Sequence, residues 1–128
     1  MDRPMKARFL LLLLVLAGCS DIVQSHYDNY QQAQADQLFE RGWLPDVLPV
    51  STTQIEVAND LDSNTSQGSF VIAEKEMAQF LSQLQPLETA NQYRFESDNS
   101  VWIFTLGEQG HVSYLLTSND DIVKDSEE

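Results

Sequence analysis

The sequence predicts a small α+β domain: an antiparallel sheet of about five strands with two helices on one face. Three observations predict it. Short runs of alternating hydrophobicity recur at 54–60, 69–73, 93–97, 101–106 and 111–117, the period of half-buried strands. Between the second and third runs, at 74–85, the period switches to that of an amphipathic helix. The connections are short, and 128 residues leave room for one core only.

Taken in order, residues 20–26 show no clear period and read as a tether; seven extended residues reach at most about 25 Å. Tyr27 to Arg41 is composed largely of Gln, Ala, Asp, Glu and Leu, with Gly42 just past its end, which predicts a helix closed by a glycine C-cap. Its apolar stripe is thin, carried by Tyr27, Tyr30 and Leu38. Pro45 and Pro49 exclude helix from the next segment, so Trp43, Leu44, Val47 and Leu48 are expected to fold over the domain as an apolar strap. Ile55 and Val57 share one strand face, as do Phe70 and Ile72, and the polar stretch 60–68 would join the two strands as a hairpin. Met77, Phe80, Leu81 and Leu84 form one helix face, and Pro86 follows its end. The last three strands, 93–97, 101–106 and 111–117, are separated by turns at Asp98-Asn99-Ser100 and Gly107 to Gly110, the pattern of a meander. From Asp120 onward the chain is an acidic tail. The expected organisation is a leader at 1–18, a lipid-bearing tether at 19–26, the domain at 27–119 and the tail at 120–128.

Formal net charge is -13. The leader holds three of the seven basic residues and one of the twenty acidic ones, so removing it leaves four against 19, or about -15. Such a domain is repelled by nucleic-acid phosphates and anionic headgroups. Nucleic acid and peripheral membrane binding are therefore both disfavoured, while a basic protein partner or a cation is allowed; the plainer consequence is solubility.

The N-terminus has the layout of a secretory signal: a net-positive start with Arg3, Lys6 and Arg8, then an unbroken apolar run from Phe9 to Ala17. As a helix, nine residues span only about 14 Å, short of the roughly 30 Å hydrocarbon core. Leu16, Ala17, Gly18 and Cys19 then follow the pattern of, and resemble, the lipobox of bacterial lipoproteins. The resemblance implies that the Cys19 thiol takes a diacylglyceryl group, that cleavage falls before Cys19, and that the mature chain is held by three acyl chains. Two already suffice for stable anchoring. With Ser20 rather than an aspartate after the cysteine, it also implies the outer membrane, facing the periplasm. The alternative is an ordinary signal peptide with Cys19 left as a free thiol. Cys19 is the only cysteine, so it has no intrachain disulfide partner.

No motif carries recognisable chemistry. Asp60, Asp62 and Asn64 fall at alternate positions like the first ligands of a calcium loop, but Thr65 stands where that loop needs glycine and Val71 where it needs glutamate. A turn rich in Asp and Asn, or a weak cation site of other geometry, are the readings left. His26 and His111 belong to no ligand spacing and read as surface residues. No serine sits in a nucleophile elbow, and there is no phosphate loop or dinucleotide fingerprint. No catalytic residue, metal, cofactor or small-molecule substrate is therefore expected, and the chain does not read as an enzyme. Trp43, Trp102, Phe104, Tyr93, Phe95 and Tyr114 suit a core better than a groove. Trp43, in irregular chain, is the candidate binding surface.

Gly42-Trp43-Leu44-Pro45, Leu48-Pro49-Val50-Ser51, Ile55, Asp60-Leu61-Asp62-Ser63-Asn64, Gly68 and Phe70 together resemble a group of small bacterial lipoproteins and membrane-linked proteins. In these, a W-L-P-x-x-L-P segment precedes an I-x-x-x-x-D-L-D-x-N stretch. Thr52 is a departure, replacing the alanine frequent there. The resemblance implies a shared fold and no established activity. The expected function is thus a non-catalytic interaction or accessory lipoprotein of the envelope with a protein partner. The alternative is a periplasmic immunity or inhibitor protein that neutralises a basic toxin or hydrolase.

Overall fold

The computed structural model describes residues 22–118. The Leu16–Cys19 motif, the leader and the acidic tail lie outside the described residues. In chain order the elements are β1 (Ile22–Asn29), α1 (Tyr30–Ala35), β2 (Thr53–Asp60), β3 (Thr65–Val71), α2 (Glu74–Ser82), β4 (Gln85–Pro86), β5 (Gln92–Ser97), β6 (Ser100–Leu106) and β7 (His111–Ser118). The strands form one antiparallel sheet in the order β1-β2-β3-β7-β6-β5-β4. The α+β class expected from the sequence stands, with seven strands in place of about five.

The cross-strand register aligns one apolar face across the sheet. Tyr27 lies opposite Ile55, Phe70 opposite Val112, Phe104 opposite Tyr114, and Trp102 opposite Leu116; all eight are buried. Because strand side chains alternate between faces, these partners must project to the same side. α2 lies on that side through Phe80, whose ring meets Phe70 at 6.1 Å and Phe104 at 5.5 Å, both edge to face. The strap adds Leu44, Val47 and Leu48 to the same buried cluster, as the sequence predicts. α2 is also the crossover: it carries the chain from β3 to the far edge, and the β5-β6-β7 meander returns to pair with β3.

Three expectations are corrected. The tether of residues 20–26 ends early, because β1 begins at Ile22 and pairs along β2 from Ile22 opposite Asp60 to Asn29 opposite Thr53. As an edge strand, β1 buries only Tyr27, so its sequence shows almost no alternation; backbone hydrogen bonds hold it.

The single helix expected over 27–41 is instead divided. Asn29 caps α1, its side-chain oxygen accepting from the Gln32 N–H at 3.0 Å. Gln37, at φ 61°, then ends it. The Leu38 N–H reaches the Ala33 carbonyl and the Gln37 N–H that of Gln34, the paired bonds of a Schellman motif with glutamine in the left-handed position. The pattern repeats one turn later: the Trp43 N–H meets the Leu38 carbonyl and the Gly42 N–H that of Phe39, with Gly42 at φ 87°. Gly42 is the left-handed terminator that the sequence suggests, but of a second, shorter turn.

The third correction concerns the β2–β3 connection, expected over 60–68. β3 begins at Thr65, so only residues 61–64 turn. Ser66 and Gly68 are too small to signal burial, yet the Tyr114 ring lies over them: its hydroxyl and that of Ser66 are 3.0 Å apart, and a Cβ on Gly68 would come 3.0 Å from Tyr114 Cε2. Thr52, the departure noted above, is fully buried and donates its hydroxyl to the Pro49 carbonyl at 2.6 Å, closing the strap against β2.

Candidate functional site at one end of the sheet

The antiparallel pairing gathers one set of strand termini. The start of β1, the β2–β3 turn, the end of β7 and the β5–β6 turn lie together, through Ile22 opposite Asp60, Asp60 opposite Thr65, Ser66 opposite Leu116 and Ser100 opposite Ser118. The second Schellman turn delivers Trp43 to this same end. There Trp102 donates its indole N–H to the Trp43 carbonyl at 3.3 Å. Arg41, Gly42, Trp43, Asn64, Asn99 and Ser118 are among the residues lining a hollow of about 170 Å³.

Trp43 and Asn64, singled out separately in the sequence, therefore share one site. Trp43 is half-buried against the core rather than free in solvent. Arg41 and Asn99 were not foreseen; both are polar residues of turns, and only the folding of those turns brings them beside Trp43. Arg41 is steadied by donating to the Asp36 carbonyl at 2.9 Å.

The Asp60-Asp62-Asn64 loop resolves as a turn. Asp60 Oδ1 accepts from the Asp62 N–H at 3.0 Å and the Ser63 N–H at 3.3 Å, and Asn64 takes φ 59°, a conformation asparagine tolerates. An oxygen committed to two amide donors is a poorer cation ligand. Among the described residues, no group of three His, Cys, Asp or Glu side chains is placed to hold a metal ion.

The two histidines are not brought together. His111 starts β7 opposite Val71, at the other end of the sheet. His26 lies on β1 directly across from Glu56. Its Nδ1 is 2.6 Å from Glu56 Oε2 and its Nε2 2.9 Å from Asp28 Oδ1. Hydrogen bonding to Asp28 and then to Glu56 raises the imidazole above its usual 6.5, because only the protonated ring can donate from both nitrogens. Sequence reading missed this cluster, since the 30 residues from His26 to Glu56 match no ligand spacing; a strand pairing made it.

The aromatics behave as a core. Tyr93, Phe95, Trp102, Phe104 and Tyr114 all belong to or pack on the buried cluster, and burial pushes the Tyr114 hydroxyl up to about 12. Among the described residues, one buried side-chain polar atom stands without a partner: Asn59 Oδ1, beside Ser66 on the apolar face.

In comparison with known families, a family model described as the YbbD head domain matches residues 21–71. That span runs from β1 to the end of β3 and includes Trp43 and the Asp60–Asn64 turn. No curated protein and no solved structure matches the chain.

Proposed function

We propose that the chain is a bacterial lipoprotein precursor, cleaved before Cys19 and anchored by lipid on that residue, with a non-catalytic domain that serves as an interaction or accessory module of the envelope. The observation that carries this reading is Leu16-Ala17-Gly18-Cys19 directly after a nine-residue apolar run, where a lipoprotein peptidase would cut. The likeness of Gly42 to Phe70 to small bacterial lipoproteins supports it. The outer membrane, periplasmic side, is the proposed address. Among the described residues no helix is long and apolar enough to cross a membrane. The end of the sheet around Trp43 is the proposed contact surface with the envelope.

The mature charge near -15 favours one second reading, an immunity or inhibitor protein for a basic toxin or hydrolase, whose encounter such a charge would steer. A toxin gene next to this one and a protection phenotype support that reading; an unrelated neighbourhood with no protection excludes it.

Cys19→Ala tests the anchor. The variant should appear in the periplasmic soluble fraction while the parent stays with membranes. Recovery of the variant in membranes after a high-salt wash, with its leader removed, refutes lipid attachment at Cys19.

A further inference from the structure

β1 starts only three residues beyond Cys19, so the leash between lipid and fold is far shorter than a seven-residue tether. Three Cα steps reach at most about 11 Å, while each headgroup layer is about 5–7 Å thick. A lipidated Cys19 therefore keeps the first residue of β1, one corner of the end of the sheet that holds Trp43, close to the membrane surface.

That end is where exposed apolar side chains collect. Of five large hydrophobic residues exposed among the described residues, Ile22, Val23 and Leu61 belong to the start of β1 and the adjoining turn, and Leu115 shares a hollow with Ile22. The fifth, Val50, is on the strap beside Thr52, toward the opposite end of β2. Trp43 adds an amphipathic ring of the kind favoured at a membrane–water interface. Asp60 and Asp62 lie among these side chains and oppose anionic headgroups.

Resting on the anchor proposed above, we infer that this end of the sheet docks on the bilayer that holds Cys19, with Ile22, Val23 and Leu61 set into a zwitterionic phospholipid surface. The contact is small and needs the anchor to persist. The opposite end, with the Gly107–Gly110 turn, then faces away from the membrane.

The test uses the mature acylated chain in phosphatidylcholine vesicles brominated high on the acyl chains, with tryptophan placed at one end or the other. Leu61→Trp and Val50→Trp both replace exposed residues, and each is read against the unsubstituted chain. Docking predicts strong bromine quenching of the added Leu61→Trp emission and none at Val50→Trp. It also predicts weaker Leu61→Trp quenching when phosphatidylglycerol replaces part of the phosphatidylcholine. Equal quenching at the two positions, or none at either, in a chain that carries acyl mass and sediments with vesicles overturns the docking and leaves the anchor intact. Absence of acyl mass and of sedimentation overturns the anchor, and the docking with it.

Discussion

Phe80→Ala tests how far one side chain holds α2 to the sheet. The Phe80 ring is fully buried and meets two rings of the sheet's apolar face edge to face, Phe70 at 6.1 Å and Phe104 at 5.5 Å. Truncating a buried phenylalanine costs about 3–5 kcal/mol in lost transfer energy and residual cavity. The two ring pairs account for about 0.5–1.5 kcal/mol each of that loss. Phe70 and Phe104 are themselves fixed in adjoining ladders, so collapse around the cavity is restricted and the upper half of the range is expected. A domain of this size has a total stability on the order of 5–15 kcal/mol, so the variant loses about a quarter of it or more. The assay is urea denaturation of the soluble Cys19→Ala chain with and without Phe80→Ala. The midpoint should fall with little change in slope, since the surface exposed on unfolding is nearly the same. A loss below about 1.5 kcal/mol would refute the reasoning, because it is smaller than a filled, two-sided aromatic contact permits.

Gly68→Ala should destabilise by about 1–3 kcal/mol or more, because the new Cβ would stand 1.9 Å from the Glu56 carbonyl oxygen, a backbone atom that moves only with β2; a thermal melt matching the parent would contradict the β2–β3 register. Asn59→Leu removes the unpartnered buried oxygen and should raise stability by about 1 kcal/mol; a fall would show that a bound water satisfies that oxygen. His26 binds its proton more tightly folded than unfolded, so its bonds to Asp28 and Glu56 stabilise fully below the ordinary value of 6.5 and are lost as pH rises through the folded value. The imidazole NMR titration should show a midpoint above 6.5, and His26→Gln should flatten the pH dependence of melting in that window; a midpoint at or below 6.5 contradicts the double hydrogen bond.

The candidate site shows the same division between pattern and contact as the rest of the chain. Trp43 stands out because an aromatic between turn-forming residues has no strand or helix face to join, and Asn64 because it ends an alternating polar run. Their meeting beside Arg41 and Asn99 depends on two Schellman turns and on the pairing of β3 with β7, which no local pattern encodes. The His26 cluster is hidden for the same reason: Asp28 is near in sequence, but Glu56 becomes a neighbour only when β1 lies against β2.

What the sequence by itself determined is the set of elements whose side chains divide between core and solvent. α2 and the meander are legible from Met77, Phe80 and Leu84 and from the alternation of Trp102, Phe104, Val112, Tyr114 and Leu116, since burial on one face leaves a period in the residues. The lipobox-like stretch at Leu16 to Cys19, on which the proposed anchor rests, is likewise local. Only the tertiary structure decided that residues 22–29 form a strand, that the chain turns at Gln37 instead of continuing as helix, and that Ser66 and Gly68 lie under Tyr114. Those features rest on backbone hydrogen bonds and on space filled from another strand, and neither leaves a mark in the segment's own hydrophobic pattern.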